Sequence, residues 1–389
     1  MINSQRLAQR FKEFVEIDSL SRQERDVALE LEKILTAMGA RVCYDTAGEQ
    51  VGGNCSNLVA KFKGTVDAEP VFLCGHMDTV GPGKGIKVRF EDGIFRSDGT
   101  TILGADDKSA LAIILEVMDV IFENKIDYPP VEIIFTVCEE IGLLGAKYFD
   151  YSLMDSKFGY ILDSTDTQGI VTKAPAANKI IIKIYGKAAH AGAAPENGIN
   201  AIMVASKAIS ELNLGRIDEE TTCNLGIIKG GVATNIVPEF VEIHGEARSH
   251  DVEKLKTITD NIVNTFYTVA EGFKNRLDFS GSDSPGSELP RIEAIVENDF
   301  PNTNISEDHK AIKLARKAAG NLGIDLASKT IGGGADANIF FGKGIVAGVL
   351  GTGMTDVHTL NESIALKDME NSAKLVLEIL KVHAAGEIS

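Results

Sequence analysis

Histidine and acidic side chains recur at the ends of apolar runs in this 389-residue chain. A single polar residue in such a place is most often a solvated strand end. Two histidines and three carboxylates, however, suit two divalent cations about 3.5–4 Å apart that share one carboxylate. Imidazole mixed with carboxylate favours zinc, cobalt or manganese over calcium or magnesium. The candidate residues are His76 and Asp78 after VFLCG, Glu139 and Glu140 after VEIIFTVC, Asp163 after FGYIL, His358 beyond GIVAGVLG, and Asp106 and Asp107 in GADDKSA.

The adjacent glutamates and Asp78 suggest a division of labour within such a site. One carboxylate of the pair Glu139–Glu140 can bind a metal, while its neighbour takes a proton from water. Asp78 lies two residues beyond His76, so both side chains share one face of an extended segment. Asp78 could therefore accept the second N–H of the imidazole and hold the ring in its ligating orientation. The pattern favours chemistry over a set of solvated strand ends.

Alternating helices and strands would bring these residues together. Mostly parallel sheets bind ligands beyond the carboxyl ends of their strands, which is where the candidates occur. We expect Ser21 and Glu24 to form a capping box at the start of the second helix. The predicted helices lie near 4–17, 22–38, 107–123, 306 onwards and 366–384, and the predicted strands near 40–45, 57–63, 71–75, 131–137, 158–162 and 344–351.

The middle of the chain has a different pattern from its two ends. From about residue 179 a strand, a helix, two strands, a helix and a strand follow one another, which is the order of a ferredoxin-like domain. The sequence therefore predicts a discontinuous α/β domain, residues 1–175 and 304–389, with an inserted α+β domain, residues 176–303. The turn-rich segment 279–290 is predicted to be an exposed loop of the insert.

Composition excludes several classes of function. The net charge of −17 disfavours nucleic acid and anionic membranes as partners, since both attract basic surfaces. The N-terminus has no apolar signal region, and the most apolar helix contains Glu116 and Asp119, so we expect no membrane span. No G-x-G-x-x-G follows the first strands, which argues against a dinucleotide enzyme. The five scattered cysteines are typical of reduced core residues in a cytoplasmic protein.

A set of motifs, in order between roughly residues 70 and 365, resembles the dizinc metallopeptidase family of aminoacylase, carboxypeptidase G and peptidase T. The similarity is greatest to peptidase T-like tripeptidases. It implies a zinc-exopeptidase-type catalytic domain and an inserted lid domain through which family members often form dimers. The motifs are GHMDTV, GADDKSA, EEIGLLGAK, ILDS, GKAAHAGAAPENGINAI, ATNIVPE, GEARS, GGGADAN and VHTLNE.

The resemblance also implies the metal and catalytic residues. Glu139 would be the general base, Asp78 would orient His76, and the peptide bond between Asp106 and Asp107 would be cis. Asp106 would bridge two divalent ions, with zinc favoured and cobalt or manganese as alternatives. The implied ligands of one ion are His76, Asp106 and Asp163, and those of the other are Asp106, Glu140 and His358.

In the insert, the resemblance implies residues that contact the substrate. His190 would stabilise the developing oxyanion, either in its own subunit or in the partner subunit of a dimer. Asn235 and Arg248 would bind the far end of the substrate, since arginine holds a carboxylate through two hydrogen bonds. Gly333 and Gly334 would let the backbone approach the substrate closely.

Other interpretations of these residues remain open from the sequence. His190 could be a surface histidine, Arg248 could pair with Glu246 or Asp251, and the glycine cluster could be a plain turn. Ile331 stands where peptidase T carries arginine, which leaves the recognition of tripeptide end groups open.

Together these features predict a cytoplasmic tripeptide aminopeptidase that acts on short peptides, with homodimerisation through the lid. An N-acyl amino acid deacylase or a carboxypeptidase could use the same dimetal site, although Asp163 in place of glutamate argues mildly against the carboxypeptidase. A catalytically silent metal-binding or peptide-binding protein is the alternative from another class. The presence of Glu139 argues against it, because a silent site needs no base.

Overall fold

The computed structural model describes residues 1–280 and 288–388. Most of the predicted loop 279–290 therefore lies outside the described residues. None of the described helices combines the length and apolar character that a membrane span requires. The α-helices are α1 Ser4–Val15, α2 Arg25–Ala37, α3 Ala47–Val51, α4 Ala105–Asn124, α5 Leu144–Lys147, α6 Ala201–Ser210, α7 Val252–Ser280, α8 Lys310–Asn321, α9 Asp336–Gly342 and α10 Leu366–Ala384.

The strands alternate with these helices at both ends of the chain and follow one another more closely in the middle. They are β1 Arg41–Tyr44, β2 Leu58–Phe62, β3 Val71–His76, β4 Arg89–Glu91, β5 Ile94–Arg96, β6 Val131–Thr136, β7 Phe158–Ser164, β8 Gly169–Ala174, β9 Ala176–Tyr185, β10 Gly215–Arg216, β11 Thr221–Gly230, β12 Phe240–Ser249, β13 Arg291–Phe300, β14 Thr303–Asn304, β15 Ala327–Thr330, β16 Val346–Gly351, β17 Met354–Thr355 and β18 Ser363–Ala365.

The described residues form two compact units. Unit 1 comprises Met1–Lys173, Thr303–Ile331 and Ala335–Ser389, and unit 2 comprises Ala174–Asn302 and Gly332–Gly334. The boundaries predicted after residues 175 and 303 fall after Lys173 and Asn302. The glycine cluster Gly332–Gly334, predicted to lie in the first domain, groups with the second unit instead.

Unit 1 is built on a nine-stranded mixed sheet. Its strand order is β1-β2-β6-β3-β7-β16-β8-β14, with β15 paired to β8. The neighbours β6, β3, β7 and β16 are parallel, whereas β2 pairs antiparallel with β6 and β8 with β16. Every residue of β3 and β6 is buried, as expected for apolar runs in a sheet covered on both faces. The parallel strands therefore bring their carboxyl ends to one edge.

Helix α4 is the most buried helix of unit 1. It contacts β3 and lies between α1 and α10, so side chains all around its surface are covered. Fully buried Ile113, Ile114 and Val117 belong to the same core as Leu73 of β3. A helix that is covered on all sides belongs in a core. The first turn of this helix carries Asp106. A small sheet of order β17-β18-β5-β4, which the sequence did not predict, completes the unit.

Unit 2 has the predicted ferredoxin-like order of elements. Strand β9 is followed by α6, β11, β12, α7 and β13, with the short β10 added at the edge. The sheet order is β10-β11-β12-β9-β13, and neighbouring strands pair antiparallel. Alternate residues of β9, including Ile180, Ile182 and Ile184, are buried in a core shared with α6 and α7. Alternate residues of a strand point to the same face of the sheet, and the helices cover the face to which these isoleucines point.

The predicted capping box at the second helix is wrong. Helix α2 begins at Arg25, and Glu24 occupies its N-cap position without any capping hydrogen bond from its side chain. The Ser21 hydroxyl instead donates to Asp78 Oδ2 at 2.6 Å. Glu24 Oε1 accepts the backbone N–H of Cys138 at 3.1 Å. Both side chains are therefore used by long-range contacts rather than by the helix terminus.

Candidate metal centre

The predicted ligands of unit 1 lie at the carboxyl edge of its parallel strands. His76 is the last residue of β3, Glu140 follows β6, and Asp163 is the next-to-last residue of β7. Asp106 is at the start of α4, and His358 is in the loop between β17 and β18. Because β6, β3 and β7 are parallel neighbours, residues at their ends are close in space.

Asp106 lies at the centre of this cluster. Its Oδ1 is 3.0 Å from His76 Nε2, and its Oδ2 is 3.1 Å from His358 Nε2. The same nitrogen of His358 is 3.0 Å from Glu140 Oε1. Each oxygen of this carboxylate therefore faces a different histidine. This is the arrangement expected of a bridging ligand.

Two groups of donor atoms within the cluster lie within 4.8 Å of one another. One comprises His76, Asp106 and Glu140, and the other comprises His76, Asp107 and Asp163. His76 is common to both groups, whereas the resemblance implied that Asp106 would be the ligand shared by the two ions. Asp107 was one of the candidate residues of the sequence, but the resemblance did not assign it as a ligand. The Asp106–Asp107 peptide bond is cis, as predicted.

The carboxylates of the cluster are held in an environment that disfavours their charge. Burial, together with the nearby charge of Asp106, raises the pKa of Glu140 to about 7. Burial likewise places the pKa of Glu139 and of Asp163 well above the usual carboxyl range. Asp106 differs because hydrogen bonds from His358 and His76 outweigh its burial and lower its pKa.

The donor set fits divalent cations. His76 presents Nε2 to Asp106 Oδ1 and Nδ1 to the backbone oxygen of Asp78 at 2.9 Å. A cation beside the carboxylate would use the lone pair of Nε2, and Nδ1–H would still donate to the backbone oxygen. Asp107 Oδ1 is buried and has no hydrogen-bond partner among the described residues. A cluster of buried carboxylates with so little positive charge nearby is the environment in which cations bind.

His76 Nδ1 faces both the backbone oxygen and the carboxylate of Asp78. The nearest acceptor for Nδ1 is the Asp78 backbone oxygen, while the carboxylate Oδ1 lies 3.5 Å away. The carboxylate also accepts the backbone N–H of Glu139 at 2.9 Å and that of Glu140 at 3.3 Å. Asp78 therefore joins the end of β3 to the loop after β6.

Two buried carboxylates beside the cluster were not found from the sequence. Glu362 Oε2 accepts the N–H groups of Leu103 and Gly104, each at 2.8 Å, and its Oε1 accepts that of Asp106 at 3.1 Å. Asp336 accepts from the Thr136 hydroxyl at 2.6 Å, and burial raises its pKa to about 6. Both residues lie in motifs used for the resemblance, VHTLNE and GGGADAN, so their position in those motifs was the available signal.

In unit 2, His190 and Asn235 lie on adjoining segments and are exposed. The Asn235 backbone oxygen accepts the N–H of Ala191 at 2.9 Å. His190 Nδ1 accepts the N–H groups of Gly192 and Ala193 at 3.2 and 3.1 Å. A neutral ring that accepts at Nδ1 carries its proton on Nε2, which can donate a hydrogen bond.

Arg248 and the glycine cluster also belong to unit 2. The Arg248 guanidinium donates to Glu246 Oε2 at 3.0 Å and to the Gly332 backbone oxygen at 3.4 Å. Its buried Nε has no partner among the described residues. Gly334 packs against the Phe300 ring so closely that a Cβ there would be 2.5 Å from ring atoms. The pairing with Glu246 that the sequence left open is therefore present.

Two family models match parts of the chain. Residues 177–273 match a peptidase dimerisation domain, which lies within unit 2. Residues 57–192 match peptidase family M28, a range that includes His76, Asp106, Glu140 and Asp163.

Full-length relatives extend these matches. YqjE of Bacillus subtilis, described as uncharacterized, is 39% identical over 98% of this chain and 99% of its own. A peptidase T of Clostridium perfringens is 27% identical over 87% of this chain and 80% of its own. The crystal structure of the aminopeptidase PepT from Bacillus cereus is 38% identical, with 99% of each chain covered and a TM-score of 0.87. That of a tripeptidase from Staphylococcus aureus is 40% identical, covers 99% of this chain and 100% of its own, and has a TM-score of 0.90. With this identity over nearly its whole length, the chain belongs to the dimetal metallopeptidase family that includes peptidase T.

Proposed function

We propose that this hydrolase is an aminopeptidase that removes the N-terminal residue of tripeptides and other short peptides. The observation that carries the proposal is a buried glutamate, Glu139, next to a cluster of histidine and carboxylate donors. Relatives described as an aminopeptidase and as a tripeptidase, at 38% and 40% identity, support the choice of substrate class.

The chain would hold two divalent cations, with zinc favoured and cobalt or manganese as alternatives. Bound ions supply a Lewis acid for the scissile carbonyl and lower the pKa of water from 15.7 to about 7. Asp106 is the candidate bridging ligand because its two oxygens face different histidines. The proposed ligands are His76, Asp106 and Asp163 for one ion and Asp106, Glu140 and His358 for the other.

Glu139 would act as the general base and then as the general acid. Its side chain is largely buried, and burial raises its pKa well above the usual carboxyl range. A base whose pKa approaches the working pH can both accept a proton and release it again. Glu139 would take a proton from the attacking water and deliver it to the leaving amine. The bond from its own N–H to Asp78 Oδ1 holds the main chain from which this side chain projects.

Residues of unit 2 would bind the rest of the substrate. His190 would donate from Nε2 to the developing oxyanion, which is consistent with acceptance of two N–H groups at Nδ1. Arg248 would bind a substrate carboxylate in competition with Glu246. Asn235, Gly333 and Gly334 would complete this contact surface.

We also propose a homodimer formed through unit 2 in a cytoplasmic protein. The match of residues 177–273 to a peptidase dimerisation domain supports the dimer. The five cysteines, all of them free, support a reducing compartment. Sedimentation of the purified protein would measure the oligomeric state directly.

The test of the reaction is Glu139→Ala in the metal-loaded enzyme. We expect kcat to fall by about 10²–10⁴-fold, which is the usual contribution of general acid–base catalysis. Metal content, measured by mass spectrometry of the dialysed protein, should stay at the wild-type value. A variant with near-normal turnover would show that Glu139 is not the base.

The substrate class requires a separate panel. Wild-type enzyme would be assayed with a free tripeptide, the same tripeptide acetylated at its N-terminus, a dipeptide and an N-acetyl amino acid. We expect cleavage of the free tripeptide and loss of cleavage on acetylation. Preferred hydrolysis of the N-acetyl amino acid would instead indicate a deacylase, and release of the C-terminal residue from the blocked peptide would indicate a carboxypeptidase.

A further inference from the structure

The backbone between β6 and α5 is held by side chains rather than by a neighbouring strand. The N–H of Val137 donates to Asn57 Oδ1 at 2.9 Å, and that of Cys138 donates to Glu24 Oε1 at 3.1 Å. The next two N–H groups, of Glu139 and Glu140, donate to the carboxylate of Asp78. Four consecutive N–H groups are thus bound by side-chain oxygens.

These oxygens belong to three fully buried side chains from distant parts of the chain. We call Glu24, Asn57 and Asp78 the acceptor cradle; each is 0% exposed. Hydrogen bonds to buried acceptors are costly to break, because the freed donors have no water to replace them. The Ser21 hydroxyl donates to Asp78, and the Arg22 N–H donates to Glu24, which joins the segment before α2 to the cradle.

Cys138 is where the chain direction changes. Its φ is +54°, a left-handed conformation that non-glycine residues adopt at a cost and only when their surroundings hold them there. Glu24 accepts the N–H of this residue, and its Oε1 also lies 3.4 Å from the Cys138 Sγ. The direction in which the Glu139 side chain leaves the main chain depends on this turn.

We propose that Glu24 is a positioning residue for the Glu139–Glu140 pair, acting through the N–H of Cys138. The inference rests on the proposed function, in which Glu139 is the general base. The hydrogen bonds of the Glu24 side chain go to Arg22 and Cys138 rather than to the two glutamates, so its effect passes through the main chain. A misplacement of about 1 Å in a catalytic group can reduce the rate about 10²-fold.

Two substitutions separate the hydrogen bond from the charge. Glu24→Gln keeps the length of the side chain and an acceptor oxygen. The NH₂ group of the glutamine takes the place of Oε2, which has no partner among the described residues. Glu24→Asp keeps the charge but shortens the side chain by one methylene, so the oxygen no longer reaches Cys138. We expect kcat within about 3-fold of wild type for Glu24→Gln and about 10- to 100-fold lower for Glu24→Asp, with KM little changed in both.

Glu132 provides a matched control, because it lies near the start of β6, whereas Glu139 follows the end of that strand. It is a buried glutamate near the start of β6 that accepts the N–H groups of Asp155 and Ser156. Glu132→Asp removes a comparable set of contacts far along the strand from Glu139. We expect a loss of thermal stability with kcat unchanged.

A second measurement does not depend on turnover. Hydrogen–deuterium exchange of the metal-free protein would be followed in peptides that contain residues 137–141. We expect faster exchange there in Glu24→Asp, wild-type exchange in Glu24→Gln, and no change there in the Glu132 control. This pattern would support the positioning role even if Glu24→Asp is less stable overall.

The opposite results would overturn the inference. It fails if Glu24→Asp retains wild-type kcat and exchange, or if Glu24→Gln is as impaired as Glu24→Asp, because an acceptor oxygen within reach of Cys138 would then not be enough to preserve the rate. Wild-type protein that is inactive on the whole substrate panel would count against the proposed function. The exchange experiment would still decide whether Glu24 holds the turn.

Discussion

Replacing Glu362 by glutamine tests how the central carboxylate of the metal centre is positioned. Glu362 uses both of its oxygens, with Oε2 accepting from Leu103 and Gly104 and Oε1 accepting from Asp106. A glutamine has one acceptor oxygen and one NH₂ group. If the oxygen keeps the two shorter bonds, the NH₂ group faces the N–H of Asp106, and two donors oppose each other.

The size of the effect follows from these contacts. One hydrogen bond to a charged acceptor is lost, which costs about 1.5–3 kcal/mol, and the two that remain become weaker because their acceptor is neutral. Burial raises the pKa of Glu362, so removing its charge returns part of that cost. We therefore expect a net destabilisation of about 2–3 kcal/mol. We also expect divalent-metal affinity to fall about 10- to 100-fold, since Asp106 shifts.

The assay combines thermal unfolding of the metal-free protein with calorimetric titration of zinc. Glu132→Gln is the control, because Glu132 is also a buried carboxylate with several donors but lies near the start of β6. Both variants should unfold at lower temperature, and only Glu362→Gln should bind zinc more weakly. Wild-type stability and zinc affinity in Glu362→Gln would refute the reasoning about Asp106.

Two further predictions concern pH and the core. In the metal-free protein, the raised pKa of Glu140, about 7, means that the folded state binds more protons than the unfolded state between about pH 4.5 and 7. The pKa of His358, raised to about 9 by Asp106, gives stability that is present below about pH 6.5 and is lost as pH rises towards 9. Both groups make stability fall with rising pH, and burial lowers the pKa of Lys108 to about 7, which opposes this trend only above about pH 7. The melting temperature in chelator should therefore decrease from about pH 5 to about pH 7, and an increase would contradict this. Tyr160→Phe removes the hydroxyl that donates to the Ala311 backbone oxygen at 2.6 Å in the core, and urea unfolding should show a loss of about 1–2 kcal/mol with unchanged kcat. An unaltered unfolding midpoint would mean that this bond contributes nothing.

The central strands of unit 1 were predictable because their residues are mostly apolar. VFLCG is wholly apolar, and VEIIFTV contains only Glu132 and Thr136 as polar residues, which is typical of strands covered on both sides. The small sheet was not predictable for the opposite reason. Its strands have two or three residues each, and Arg89–Glu91 is fully exposed, so no periodic signal exists in the sequence.

The candidate ligands could be proposed from the sequence because chemistry and position coincide. Histidines and carboxylates that end neighbouring parallel strands must approach one another, whatever the details of packing. Their partners could not be proposed in the same way. Asp78 was expected to bind His76 through its carboxylate, and that carboxylate also binds the main chain after β6, which the sequence did not predict.

The amino-acid sequence by itself determined the order of elements, the types of residue at the strand ends and the likeness to a peptidase family. The tertiary structure alone decided which acceptor each buried N–H group uses. The contrast is clearest at Glu24, which looks like a local helix cap but binds Cys138, 114 residues away. Local patterns reflect dihedral preferences and burial, whereas a buried hydrogen bond between distant segments depends on where the whole core places them.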